Sequence, residues 1–149
     1  MLKSSSIFPA LMIIVLLLVA MPKVFNLING PAVTPGVFDA GYTLAQAAEL
    51  SKETGKPMFV LVTADWCPPC QKLKRSTLTD QSVIDWVKIN AVPVYLEDGT
   101  NPDEIASLPV RAYPTTLLIQ DGQILTSIQG AANAGPYVKA LTSAMASIP

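Results

Sequence analysis

The only two cysteines of the chain stand three positions apart, in the run Asp65-Trp-Cys-Pro-Pro-Cys70. Residues 58–63 (MFVLVT), which precede this run by one position, are apolar on both faces, which is typical of a short buried strand. The residues after it, 71–75, predict a helix. The sequence therefore places both cysteines at a turn from a strand to a helix, at the edge of a sheet.

Helical and strand patterns alternate along the rest of the chain. Val37 and Phe38 could start a short first strand. A helix is predicted to begin with a Thr43–Gln46 capping box and to stop at Gly55, and a second helix contains Val83, Ile84 and Val87. A strand at 91–96 and a helix that starts at Pro102 follow. The last predicted elements are strands at 115–120 and 123–129, joined by an Asp121-Gly122 turn, and a helix at 133–146. This order predicts an α/β fold with a mixed sheet and an antiparallel hairpin at one side.

An apolar segment lies near the N-terminus. No charged residue occurs between Ser4 and Pro22, and Lys3 and Lys23 flank this segment. As a helix it would span roughly 28 Å, close to the ~30 Å hydrocarbon core of a bilayer. Residues 1–23 are therefore predicted to be a signal-anchor or, alternatively, a signal peptide that is removed.

Proline and glycine interrupt residues 24–40, which predicts a linker, and residues 41–149 form the predicted domain. The basic residues at the N-terminus slightly favour a cytoplasmic N-terminus. We therefore expect a single-pass protein of the cell membrane, with its C-terminal domain in the periplasm or extracytoplasmic space, or a secreted domain if the leader is cleaved.

Charge and composition exclude several kinds of function. The net charge is −1, so the chain has no basic excess for nucleic acid. It contains no histidine, which excludes Cys-His and Ser-His-Asp catalytic centres. Two cysteines cannot supply the four ligands of a structural zinc site within one chain. We expect neither a metal nor a cofactor.

The two cysteines carry the predicted chemistry. A helix N-terminus stabilises a thiolate, so Cys67 is expected to be the exposed nucleophile and Cys70, one turn below it, the resolving thiol. A structural disulfide is the alternative, although so short a loop restricts the unfolded chain little. A metal site shared between two chains is a third possibility.

Residues 64–70 (ADWCPPC) resemble the active-site motif of the thioredoxin superfamily, and Tyr113-Pro-Thr115 resembles its cis-proline turn. The resemblance covers about residues 40–147. Gly55-Lys-Pro57 and the Pro-Pro pair are more similar to exported, membrane-linked members, such as the C-terminal domain of the thiol reductase DsbD. The resemblance implies a thioredoxin-like fold with a central mixed sheet, a C-terminal antiparallel hairpin and flanking helices, here preceded by an N-terminal apolar helix.

The resemblance also implies roles for five residues. Cys67 corresponds to the attacking cysteine and Cys70 to the resolving one, and they form the redox-active disulfide. Pro114 corresponds to the cis-proline that faces this disulfide. Tyr113 precedes it, and its backbone would pair with a substrate chain as an added strand. Trp66 corresponds to the motif tryptophan beside the substrate groove, although it could equally be an aromatic residue without a chemical role.

Two features depart from the family pattern. Cytosolic thioredoxins have a buried aspartate where this chain has Leu61, and a lysine on the neighbouring strand that residues 91–96 lack. Either water deprotonates the resolving thiol, or Glu97 or Asp98 substitutes for the missing base, or turnover is slow.

Three basic residues, Lys72, Lys74 and Arg75, follow the motif. Their positive charges could raise the local electrostatic potential near Cys67, but the favoured interpretation is that they form a solvent-exposed helix face.

The sequence thus predicts a thiol–disulfide oxidoreductase, with the reductase direction favoured. Its expected partners are protein substrates that carry disulfides or dithiols and a thiol electron donor in the membrane. The alternative is a thioredoxin-like module that binds proteins without turnover.

Overall fold

The computed structural model describes residues 7–146, with side chains at 9–21, 24 and 30–146. The chain divides into two compact units between Pro31 and Ala32. Residues 1–6 of the predicted signal-anchor and 147–149 of the predicted domain lie outside the described residues.

The first unit contains one helix, α1, at Ile7–Asn29. The large apolar side chains described in it are exposed. Within the part of the chain that the structure describes, no helix meets both the length and the hydropathy needed to cross a bilayer. The signal-anchor remains a prediction.

The second unit alternates helices and strands. Its elements are a 3₁₀ turn at Gly36–Phe38, α2 at Leu44–Thr54, β1 at Met58–Thr63, α3 at Pro68–Lys72 with a π-helical turn at Leu73–Thr77, α4 at Gln81–Asn90, β2 at Val92–Glu97, α5 at Pro102–Ala106, β3 at Thr115–Gln120, β4 at Gln123–Gln129 and α6 at Ala134–Met145.

The four strands form one mixed sheet in the order β2-β1-β3-β4. β1 pairs in parallel with β2 and antiparallel with β3. β3 and β4 form the predicted antiparallel hairpin. The turn between them has positive φ at Asp121 and Gly122, 49° and 75°, a backbone conformation that aspartate tolerates and glycine adopts freely. The expected mixed sheet with a hairpin at one side is confirmed.

Each face of the sheet is covered by its own hydrophobic cluster. On one face, Phe59 and Leu61 of β1 pack among residues of α4 and α6. On the other face, Val60 and Val62 pack with residues of β2 and β3, Ala47 of α2 and Ile105 of α5. β1 is therefore buried on both sides, as its unbroken apolar run predicts.

The segment before α2 differs from its predicted structure. Val37 and Phe38 lie in the 3₁₀ turn rather than in a first strand, and both are buried. The Phe38 ring stacks on Phe59 with a centroid distance of 5.9 Å. Prolines and glycines at 30, 31, 35 and 36 favour turns over a strand ladder, so the hydrophobic side chains reach the core from a turn. These two residues of the predicted linker therefore belong to the core.

The capping box predicted at the start of α2 is confirmed. The Thr43 side chain accepts a hydrogen bond from the Gln46 backbone N–H, and the Gln46 side chain accepts one from the Thr43 N–H. Gly55 ends the helix at a φ of 70°, the left-handed conformation that favours glycine.

A buried polar contact ties α6 to the sheet. The hydroxyls of Tyr137 and Thr116 lie 2.6 Å apart, and both residues are almost completely covered. Burial raises the pKa of Tyr137, so the phenol stays protonated. Because the site is dry, each hydroxyl depends on the other for its hydrogen bond.

Tyr137→Phe is expected to lower the free energy of unfolding by about 1–2 kcal/mol, since it leaves the buried Thr116 hydroxyl without a partner. Adding the isosteric Thr116→Val change should recover part of this loss, because both polar groups are then gone. Urea unfolding of the parent chain, both single variants and the double variant measures the coupling. Additive losses would contradict the pairing.

Candidate functional site

The two cysteines lie where β1 ends and α3 begins. Cys67 is the N-cap of α3, and its sulfur accepts a hydrogen bond from the Cys70 backbone N–H at 3.3 Å. Pro68 and Pro69 occupy the first helical turn, where a missing N–H breaks no helical hydrogen bond. Cys67 and Cys70 form a disulfide, with their Cα atoms 5.2 Å apart.

The Cys67 sulfur is less accessible than the sequence suggested, whereas Cys70 lies beneath it as expected. Cys67 is 3% exposed and Cys70 is completely buried. The expectation of an exposed Cys67 is therefore wrong for this disulfide-bonded structure, although Cys67 is the outer residue of the pair. Ala64 and Tyr113 pack against the disulfide, which explains the burial.

The Tyr113–Pro114 turn faces the disulfide. The peptide bond between these residues is cis, as the resemblance implied. The Tyr113 carbonyl oxygen lies 3.6 Å from the Cys67 sulfur. Behind the turn, the Pro114 carbonyl accepts a hydrogen bond from the Gly130 N–H at 2.8 Å, which fixes the turn to the end of β4.

One carboxylate holds the two aromatic residues beside the disulfide. Asp98 accepts hydrogen bonds from the Trp66 indole N–H at 3.2 Å and from the Tyr113 hydroxyl at 2.7 Å. The hydrogen bond to Asp98 raises the pKa of Tyr113. The two rings meet edge to face with centroids 5.9 Å apart. Trp66 remains 71% exposed, so it forms the outer lip of the site.

Sequence reasoning named Glu97 and Asp98 only as substitutes for a missing base. The structure gives both carboxylates hydrogen-bonding roles. Glu97 accepts from the backbone N–H of Asp65 at 3.1 Å and of Gly99 at 2.8 Å. Asp98 holds the aromatic lip. Their position at the C-terminal end of β2, the strand parallel to β1, was the signal that they lie beside the motif.

The expected solvated face of Lys72, Lys74 and Arg75 is wrong for Lys74. Its side chain is only 1% exposed, and its ammonium lies 2.8 Å from the Asp65 carboxylate. It also donates to the Tyr95 hydroxyl at 3.2 Å. Burial by itself lowers the pKa of Lys74, but the hydrogen bonds to Asp65 and Tyr95 outweigh it and hold the pKa above its ordinary value.

Leu61 is fully buried, and it pairs across the parallel ladder with Tyr95. Leu61 therefore occupies the position where the family pattern has a buried acid, and its ladder partner on β2 is a tyrosine rather than a lysine. Within residues 7–146, the structure has no group of three or more histidine, cysteine, aspartate or glutamate side chains that could hold a metal ion.

Residues 44–144 match the family model of the thioredoxin-like domain. This range includes the disulfide, the cis-proline turn and all four strands. The chain belongs to the thioredoxin-like family.

The relatives of this thioredoxin-like chain are distant in sequence. A protein of Archaeoglobus fulgidus is 30% identical over 56 residues, which cover 38% of this chain and 44% of that one. The alignment thus spans less than half of that relative.

Three solved structures show the same fold. A DsbH oxidoreductase has a TM-score of 0.64 at 21% identity, covering 79% of this chain and 89% of that one. A thioredoxin from Thermus thermophilus has a TM-score of 0.62 at 19% identity, covering 70% and 85%. The oxidised C-terminal domain of Neisseria meningitidis DsbD has a TM-score of 0.58 at 21% identity, covering 66% and 90%. The similarity to DsbD expected from the motif is confirmed.

The thioredoxin-like site has the parts that disulfide exchange needs: two sulfurs in one short ring and a cis-proline turn beside the outer sulfur. Tyr113 covers that sulfur and is held by Asp98. Because an attacking thiolate must reach a sulfur of the disulfide, we expect the packing of Tyr113 against Cys67 to slow its approach.

Asp98→Ala is expected to accelerate reduction of the disulfide by dithiothreitol up to about tenfold, because losing ~1.4 kcal/mol of hydrogen bonding loosens the cover over Cys67. The rate follows from quenching with a thiol-alkylating reagent at timed intervals. Asp103→Ala, which removes an exposed carboxylate on α5, is the matched control. Equal rates in both variants would contradict a covering role for Tyr113.

Proposed function

We propose that this chain is a thiol–disulfide oxidoreductase that exchanges dithiols and disulfides with protein substrates. The observation that carries the proposal is the Cys67–Cys70 disulfide at the end of β1, faced by the cis Tyr113–Pro114 turn at 3.6 Å. The family match supports this class of activity. The reaction needs no cofactor, because the two sulfurs carry both electrons.

In the reductive direction, the Cys67 thiolate attacks one sulfur of a substrate disulfide. A mixed disulfide forms, and the other substrate sulfur leaves as a thiolate that takes up a proton. The Cys70 thiol then loses its proton and attacks the Cys67 sulfur, which releases the second substrate thiol and closes the Cys67–Cys70 disulfide. Two electrons pass to the substrate in total.

Substrate binding is proposed at Trp66, Tyr113 and Pro114. The Tyr113 carbonyl lies beside the outer sulfur, so an extended substrate segment that paired with this backbone would bring its own disulfide to Cys67. The exposed Trp66 ring adds an apolar surface next to the same point. Backbone pairing of this kind tolerates many substrate sequences.

We favour the reductase direction and an extracytoplasmic location. Support comes from the DsbD-like sequence features, from the DsbD domain among the structural neighbours, and from the apolar N-terminal segment. A reductase in an oxidising compartment has to be reduced again, so a membrane protein with a reactive thiol pair is the proposed electron donor. The N-terminal segment would act as the anchor.

A thioredoxin-like module that binds proteins without turnover is the second candidate. The burial of Cys67, at 3% exposure, and the neutral Leu61 in place of a buried acid favour it. Such a module would use the same groove but would not exchange its disulfide.

Cys70→Ala in the full chain, expressed in the native host, is expected to accumulate disulfide-linked partners on Cys67, because the resolving thiol is gone. Non-reducing gels followed by reduction reveal these adducts. Cys67→Ala is the matched control and should trap far fewer. A binding module would retain its partners in both variants and form no reducible adduct in either. That result would contradict the enzymatic proposal.

The location is tested in intact cells of the native host. After mild reduction, a membrane-impermeant maleimide should label the cysteines if the domain lies outside the cytoplasm, and the labelled chain should stay with the membrane in alkaline carbonate. Labelling that requires lysis would contradict the extracytoplasmic proposal. Release by carbonate would contradict the anchor.

A further inference from the structure

Lys74 is a buried charged group that the exchange steps above do not use. Its ammonium is held by the Asp65 carboxylate, by the Tyr95 hydroxyl and over the Tyr95 ring, with 5.8 Å to the ring centroid. Removing an ammonium from water is costly unless such partners replace the solvent. The arrangement therefore keeps a full positive charge inside the domain.

The position of this charge relates it to both cysteines. Cys70 and Lys74 are four residues apart on one continuous helical segment, so their side chains leave the same face. Asp65, the ion-pair partner, stands two residues before Cys67. The Asp65 carbonyl also accepts a hydrogen bond from the Gln71 side chain at 3.0 Å. The ammonium is thus linked to the segments on both sides of the disulfide.

The groups around the Lys74 ammonium do not fully neutralise its positive charge. The Asp65 side chain is 48% exposed, so water screens its negative charge, whereas the covered ammonium is screened much less. From β2, Tyr95 is neutral, and Glu97 directs its carboxylate to backbone N–H groups of Asp65 and Gly99. On β1, the residue that pairs with Tyr95 in the strand ladder is the apolar Leu61.

We propose that Lys74 is a positioning residue that favours the reduced form of the Cys67–Cys70 pair by stabilising its thiolate. The inference rests on the proposed function. When a donor dithiol reduces the disulfide, two electrons move to the protein and the donor becomes a disulfide. The protein then holds one thiol and one thiolate, and one proton goes to solvent. A nearby cation stabilises that thiolate but not the uncharged disulfide, so it raises the reduction potential.

The test compares Lys74→Met with Lys72→Met in the full chain. Both remove one positive charge from the same helix, but Lys72 is exposed. Equilibration with glutathione buffers should show Lys74→Met reduced about three- to tenfold less readily, where tenfold corresponds to ~30 mV. The pH at which iodoacetamide reacts with the first thiol should move upward. Lys72→Met should change neither quantity, and Lys74→Arg should restore both.

An unchanged potential in Lys74→Met, even with a lower free energy of unfolding, would leave Lys74 a purely structural residue and overturn the inference. If Lys74→Met does not fold, the salt dependence of the thiol pKa in the unmodified chain tests the inference instead. Its thiol pKa should stay nearly constant between about 0.05 and 1 M salt, because a covered charge is weakly screened, and a clear rise would assign the effect to surface charges instead.

The outcomes also separate the two proposals. A parent chain without a reversible two-electron transition refutes the proposed function and this inference with it. A reversible transition that Lys74→Met leaves unchanged refutes this inference alone.

Discussion

The burial of β1 on both faces is the constraint on which the rest of the domain depends. This strand pairs with β2 on one side and β3 on the other, and two separate hydrophobic clusters enclose it. Burying its apolar side chains contributes on the order of 2 kcal/mol each. Because β1 is held on both sides, its C-terminal end has a fixed position, and the disulfide lies just beyond that end. The packing of the core therefore positions the site.

Hydrogen bonds from polar residues further position the segments around the C-terminal end of β1. Glu97 and Asp98 leave the neighbouring parallel strand at the same edge of the sheet. Glu97 binds the segment before Cys67, and Asp98 holds Tyr113 against the disulfide and Trp66 at its outer edge. The strand pair Leu61–Tyr95 carries no charged group, and beside the disulfide the covered Lys74 ammonium forms an ion pair with the half-exposed Asp65 carboxylate. The charged groups described beside the disulfide therefore lie at the end of β2 and around the start of the following helix.

The sequence predicted what local patterns encode. The apolar run of β1, the Thr43 capping box and the Asp121-Gly122 turn each carry their signal in a few adjacent residues, and the structure confirms all three. The cis Tyr113–Pro114 bond followed from resemblance, since nothing in a single X-Pro pair distinguishes cis from trans. The two failures at the site, Lys74 and Cys67, share a different cause. The burial of Lys74 and the cover over Cys67 depend on Tyr95 and Tyr113, which are distant in sequence. Lysine is rarely buried, so a solvated face was the reasonable expectation.

The π-helical turn at Leu73–Thr77 determines which side chains of the helix face the core. In a regular α-helix, residues four apart drift by about 40° around the axis, so Cys70 and Leu78 would diverge. The wider turn, closed by the Leu78 N–H on the Leu73 carbonyl at 3.0 Å, opposes this drift, and Cys70, Lys74 and Leu78 all point inward. The extra residue that this wider turn takes up therefore leaves the two halves of the helix in phase, so the chain buries both the disulfide and the Leu78 side chain.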